Sequence, residues 1–302
     1  MYQEGIGVEQ SNETAAFYLK AAANRDNPEA QFRLAIKYHF GGLGLRPNPQ
    51  EADRYLRQSA EAGYSRAQRL LGFMYLERGP HNQHRHNKNN KLAVEWFFRA
   101  ASQGDIMAYI LVGECYEHGR GIETNHATAL EYYTKAASVK SPHQGKAQLA
   151  TAELMVKHRQ TADAFKWFEL ASENAECIQQ QNEEQPQQQR RSCTKCRAKL
   201  MVARYYLHGW GNVNINQELA FQMLHELANT NERDYYVHYW LASCYLEGIP
   251  DVCVIDHATA FKHYKIAAEM GDVESQFQVR HLTFLNYYYS YYYVTICFFF
   301  FC

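Results

Sequence analysis

This sequence lacks an excess of charge of either sign. Its 31 Lys and Arg residues face 32 Asp and Glu residues, and the net charge is -1. Without a basic stripe interleaved with aromatics, nothing advertises a nucleic-acid partner or an anionic membrane. A secretory leader is also missing, because Met1-Tyr2-Gln3-Glu4-Gly5 has neither a basic segment nor an apolar run. With Met1 as the true start, a cytoplasmic protein is expected, peripheral to a membrane only through a partner. The most apolar stretch, Tyr287 to Cys302, is tyrosine-heavy and shorter than the roughly 20 residues that cross a bilayer. Catalytic signatures are absent too. There is no G-x-S-x-G, no H-E-x-x-H and no phosphate loop, and the glycine pairs do not follow strands. No catalytic residue, cofactor or small-molecule substrate is expected.

Metal-ligand spacing is equally thin. Cys193-Thr194-Lys195-Cys196 has no second CxxC or Cys/His pair in register, and a structural zinc needs four ligands. The eight cysteines are scattered, which suits a reducing compartment better than a disulfide scaffold. The segment Pro80 to Asn90 carries three histidines, but nothing fixes their geometry. It is polar, has no apolar period, and reads as a solvated surface loop. No metal site is expected.

What is present is a repeat. Starts at Ala30, Ala67, Ala108, Ala147, Ala198, Val237 and Ser275 are spaced by 37, 41, 39, 51, 39 and 38 residues. In most copies an apolar residue follows four places on, then a small one, then a tyrosine: Tyr38, Tyr75, Tyr116, Tyr206 and Tyr245. The copy from Ala147 is degenerate. Glycine turns follow, as Gly41-Gly42-Leu43-Gly44, Gly119-Arg120-Gly121 and Gly209-Trp210-Gly211, with shorter forms at Gly79 and Gly248. Glycine supplies the positive φ that ends a helix and reverses the chain.

A second helix follows each turn with its own stripe, such as Ala93/Trp96/Phe97/Ala100 and Ala129/Tyr132/Tyr133/Ala136, at spacings that share one helical face. Asn27-Pro28 and Asn48-Pro49 offer capping amides ahead of a first-turn proline. Asn48 with Glu51 also has capping-box spacing. Gly72 and Gly113, with Ala35, Ala203 and Ala242, are expected where two helices approach closely. The aromatics at frame positions (Tyr38, Tyr75, Tyr116, Tyr206, Tyr245, Trp96, Tyr132, Trp167 and Tyr264) are expected in the core, where truncation to alanine costs roughly 3–5 kcal/mol. His39, His118 and His208 recur at one place in the repeat and read as structural.

The pattern A-x-x-x-L-G-x-x-Y-x-x-G-x-G-[VI], followed by A-x-x-[WY]-[FY]-x-x-A-A, resembles that of Sel-one-like repeats, relatives of the tetratricopeptide repeat. Ala108 to Ala137 carries it nearly throughout. The resemblance implies an all-α fold, a right-handed α-solenoid of antiparallel helix pairs, and a role as an adaptor in protein complexes. Copy four departs from the pattern, with Thr151-Ala152 for the Leu-Gly pair and no glycine turn after Met155. The opening repeats, with Asn27 to Phe32 and Gly41 to Leu45, also resemble those of fungal chitin synthase activators, which implies a chitin synthase as one possible partner.

Five segments are expected. Residues 1–26 form a truncated first repeat whose start lies upstream. Residues 27–175 and 197–282 are repeats. Residues 176–196 are a polar insertion rich in Gln, Glu and Asn, and 283–302 are an aromatic tail outside the fold. Function then falls to a surface. The sixth residue after each start varies freely (Ile36, Phe73, Glu114, Glu153, Arg204 and Ser243) and is expected to line a partner-binding groove. The leading expectation is a non-enzymatic scaffold. The alternatives are a chitin synthase regulator, or a repeat module of a larger polypeptide that carries a catalytic domain such as a kinase.

Overall fold

The computed structural model describes residues 11–77, 83–175, 193–229 and 234–284, which fall into two compact units, Met1–His143 and Gln144–Cys302. In the first, α1 (Asn12–Ala23) precedes three hairpins. These are α2 (Pro28–Phe40) with α3 (Pro49–Glu61), α4 (Ser65–Glu77) with α5 (Gln83–Ser102), and α6 (Ile106–His118) with α7 (His126–Ser138). In the second, α8 (Gln144–Lys157) pairs with α9 (Thr161–Asn174), α10 (Thr194–His208) with α11 (Gln217–Asn229), and α12 (Tyr235–Glu247) with α13 (His257–Glu269). A last helix, α14, spans 273–284. Among the described residues there is no strand, only isolated bridges between Gly42 and Leu45 and between Ile249 and Cys253. The fold is an all-α repeat of helix pairs.

Side-chain caps start these helices where the sequence placed them. The Asn27 side chain accepts from the Ala30 amide at 2.9 Å, and Asn48 accepts from Gln50 and Glu51. The capping box does not form, because Glu51 holds Arg54 instead. The Asn48 amide is already committed, donating to the Tyr38 carbonyl at 2.7 Å. This bond recurs in every regular hairpin of known register: Asn125 to Tyr116, Asn216 to Tyr206 and Asp256 to Tyr245, at 2.9–3.0 Å. A carbonyl in the last turn of a helix has no partner within it. The frame tyrosine therefore marks the carbonyl that the next helix's cap residue satisfies. A second recurring device closes the other end of the hairpin. The amides of Gln31, Gln68 and Gln276 each donate to the carbonyl eight residues back, on Ala23, Ala60 and Ala268.

Glycine is required at two places for different reasons. Gly119 ends α6 in the left-handed conformation, with φ 67°, and its amide returns to the Cys115 carbonyl. At Gly121, also of positive φ, a Cβ would fall on the backbone of Asn90. The turn after α8 has no glycine, and Arg159 takes the left-handed conformation instead, with φ 62°.

Packing passes from pair to pair. Leu34, Tyr55, Leu56, Ala60, Ala67 and Leu71 join α2, α3 and α4 in one cluster, while Phe97, Ala100, Ala108 and Val112 join α5 to α6. In the second unit Phe168, Ala198 and Tyr205 join α9 to α10, and Leu200, Leu224 and Leu241 join α10, α11 and α12. No hairpin encloses its own apolar side, so each relies on its neighbours. Ala35, Ala203 and Ala242 are buried, as expected of close approaches.

The structure corrects several expectations. The frame tyrosines 38, 75, 116, 206 and 245 are half-buried, as are Trp96, Tyr132 and Trp167; among those nine aromatics Tyr264 alone is enclosed. The most deeply enclosed aromatics sit elsewhere in the frame, at Phe97, Tyr133, Phe168 and Tyr205. The frame tyrosines lie on the aromatic edge of the second helix instead: Tyr38 on Tyr55, Tyr116 on Tyr132 and Tyr245 on His263, with centroids 5.9–6.0 Å apart. Gln83 to Asn90 are helical rather than a loop, because α5 continues to Asn90, which is buried beside Gly121. Thr194 to Cys196, grouped above with the insertion, open α10, since the Cys193 Sγ accepts the Cys196 amide and caps it. Thr283 and Phe284, grouped with the tail, complete α14, whose Val279 and Leu282 pack against Tyr264. The turn at Gly5 to Val8, Gly79, Pro80 to Asn82, the insertion at 176–192 and the tail from 285 lie outside the described residues.

Candidate interaction surface

The six sixth-position residues sit on first helices, three in each unit, and all are half-buried. In the first unit Phe73 turns inward and meets the Phe97 ring edge-on at 5.7 Å, while Ile36 and Glu114 hold the same position on α2 and α6. Phe73 is therefore partly a packing residue. In the second unit Glu153 holds Arg197 at 2.7 Å, and the Ser243 hydroxyl donates to Glu247 at 3.4 Å.

Arg204 is different. Its guanidinium lies between two indoles, 4.9 Å from the Trp210 centroid and 4.7 Å from that of Trp240. His208, one turn on, stacks on Trp210 at 4.9 Å and meets Trp240 edge-on at 5.2 Å. His208 was read above as purely structural, but here it forms part of an aromatic notch. Burial holds the Arg204 proton affinity below that of a solvated guanidinium, against the tyrosines around it, which raise it. Burial and then the Arg204 charge lower the His208 pKa, so that ring is neutral at neutral pH. Trp210 and Trp240 escaped the sequence reading because the frame has no place for them. Trp210 sits between two turn glycines, and Trp240 is the third residue after a start. In this pair the sixth position of one first helix, Arg204, faces the third position of the next, Trp240.

A second polar cluster links α11, α12 and α13. The Nδ1 atoms of His238 and His263 lie 3.1 Å apart, so one ring donates and the other accepts. Tyr245 stacks on His263 and its hydroxyl contacts His225 Nε2 at 2.9 Å. Burial, then the charges of His238, His225 and Lys262, push the His263 pKa down to about 4. A depressed folded pKa means that stability is fully present above the unfolded value and is lost as pH falls toward the folded one. The melting temperature is therefore expected to fall as pH drops from about 7 to about 4, more steeply than in a His263→Gln variant. Parallel melting curves for the two proteins across that range would refute this.

Among the described residues no group of three or more His, Cys, Asp or Glu is arranged to hold a metal ion. Cys115, Cys244 and Cys253 are free thiols, and the Cys193 thiol donates to Cys196 Sγ at 3.2 Å. No helix of the described residues is long and apolar enough to cross a membrane.

The spacing, the hairpins and the glycine turns coincide with a known unit. A family model described as the Sel1 repeat matches residues 1–27, 28–64, 65–105, 106–139, 157–175, 197–229 and 236–272. This chain belongs to the Sel1 repeat family. The matches leave out residues 140–156, and so nearly all of α8, which is the copy that departs from the frame. Among curated relatives, DAP3-binding cell death enhancer 1 of Rattus norvegicus is 34% identical over 93 residues, 31% of this chain and 17% of that protein. Chitin synthase regulator SKT5 of Saccharomyces cerevisiae is 26% identical over 148 residues, 45% of this chain and 20% of the regulator. The chain spans 20% or less of the length of these relatives. A solved protective antigen of uropathogenic Escherichia coli, which displays the same repeat fold, superposes with TM-score 0.73 at 23% identity, covering 94% of this chain and 55% of that one.

Proposed function

We propose that this chain is a non-catalytic scaffold that binds a segment of a partner protein along the first-helix faces of its Sel1 repeats. One contrast carries the reading. The small frame positions are of one type and buried, at Ala35, Gly72, Gly113, Ala203 and Ala242, whereas Ile36, Phe73, Glu114, Glu153, Arg204 and Ser243 next to them change character from copy to copy and remain half-exposed. Sameness where helices touch, with variety where solvent reaches, lets each repeat present its own side chain to an extended ligand. Free thiols at Cys115, Cys244 and Cys253 support a reducing, cytoplasmic location.

Affinity capture with the full chain as bait tests this. Charge reversal at Glu153 is expected to weaken capture of the partner about tenfold, in line with loss of a charged contact, while Lys166→Glu on the exposed side of α9 leaves it unchanged. Equal effects at the two sites would refute the groove.

A narrower reading has its own support, the partial match to a yeast chitin synthase regulator. On that reading the partner is a chitin synthase, and the chain reaches the membrane through it. The tagged chain should then recover the synthase after mild detergent extraction, and its absence would remove this reading while leaving the scaffold role intact.

A further inference from the structure

Arg204 has a cation's demands and, among the described residues, no anion to meet them. Arg33, Arg54, Arg57, Arg69 and Arg197 each hold a carboxylate within 3.1 Å. Arg204 holds none. Its Nε is buried with no hydrogen-bond partner, and one guanidinium nitrogen donates only to the Met201 sulfur at 3.4 Å. The groups that act on its charge are Tyr236, Tyr205 and Tyr239, not an aspartate or glutamate. An unpaired, partly desolvated guanidinium is costly to a fold, and an unsatisfied buried donor calls for an explanation.

The surroundings suit an incoming anion. Trp210 and Trp240 clamp the guanidinium plane and limit its rotamers, which lowers the entropy lost when it is engaged. The notch is reachable, with Trp210 36% and Tyr236 51% exposed. Aromatic and arginine side chains together are the groups most enriched at the centres of protein interfaces.

We infer that this notch receives the carboxylate of an aspartate or glutamate on the partner segment, with an apolar or aromatic neighbour lying against Trp210 and Tyr236. The inference rests on the scaffold reading and specifies the chemistry that the scaffold recognises. A single negative charge fits better than a phosphate. His208 adds no second cation, and Glu247, Asp272 and Glu274 act on the same aromatic cluster through His208 and Tyr239, so a second negative charge would meet repulsion. A guanidinium fork matches a carboxylate edge-on with two parallel bonds.

The test selects displayed random peptides on the full chain and on Arg204→Met, which keeps a stem of similar length between the two indoles. Peptides from the unaltered chain should be enriched in an acidic residue at one position, and that enrichment should vanish with the variant. A resynthesised peptide should bind Arg204→Met roughly ten- to a hundredfold more weakly. Changing its acidic residue to the amide should cost the same factor, with little further loss when both changes are combined. The methionine variant should melt no earlier than the original, because it removes a partly desolvated charge that no carboxylate among the described residues pairs. Earlier melting would mark Arg204 as a strut and overturn the inference. Selected peptides that ignore the substitution would overturn it while leaving the scaffold reading in place. A phosphoserine version that binds more tightly than the acidic one would overturn the carboxylate assignment. Failure to select any peptide would count against both readings.

Discussion

Replacing Phe97 with alanine is expected to destabilise the first unit by roughly 3–5 kcal/mol. Phe97 is fully enclosed on α5, and its ring occupies the space that Gly72 leaves open on α4, where a Cβ would come within 2.5 Å of it. Its other neighbours are short or fixed. Ala93, Ala100 and Ala101 cannot extend into a cavity, and Phe73 meets the ring edge-on. The void therefore collapses little, and the cost falls toward the upper end of the range. The adjacent Trp96 is the control. It is half-buried with Arg99 over its outer face, so Trp96→Ala is expected to cost clearly less despite the larger side chain. Urea denaturation of both variants measures the difference. Equal losses would mean that the two aromatics exchange places in the packing.

Gly113→Leu is expected to cost roughly 1–3 kcal/mol, by overpacking rather than by lost burial. The ring of Tyr133 lies on Gly113, so a Cβ there would stand 2.5 Å from the nearest ring carbon. Tyr133 cannot easily swing aside. It is 1% exposed, and its hydroxyl donates to Glu117 at 2.8 Å, tying α7 to the last turn of α6. Because the conflict is between two named side chains, it should be reversible. Trimming Tyr133 to alanine in the Gly113→Leu background should recover part of the loss, giving a favourable coupling energy in a double-mutant cycle. Strict additivity would show that the helices part by some other route.

Gly72 with Phe97 and Gly113 with Tyr133 are the same lock in successive repeats, and that recurrence made the fold legible in the sequence. A helix pair of this size buries its apolar side only against copies of itself, so the same small and large residues must return at each period. The period, the small positions and the capping asparagines could therefore be read from residue types alone. Local chemistry decides each of them: a side-chain amide caps a helix start, and a residue without a side chain permits close approach.

Other features depended on partners distant in sequence. Which aromatic of each second-helix pair is enclosed follows from the rotation of that helix about its axis, and periodicity alone leaves Trp96 and Phe97 equivalent. The polar run of Gln83 to Asn90 shows no apolar stripe, yet it is helical because Asn90 lands against Gly121, in the turn of the next hairpin. The chain turns after α8 without glycine because Arg159 accepts a left-handed conformation there.

Arg204 shows the division most clearly. Residue types alone place this position beside the core face of a repeat helix and show that it varies in character, because helical periodicity sets the direction of every side chain relative to the packed face. That Trp210, from a turn, and Trp240, from the next repeat, close around it while no acid among the described residues does is a result of packing. Pairing across repeats depends on the offset between neighbouring helices, and that offset is set by packing over the whole interface.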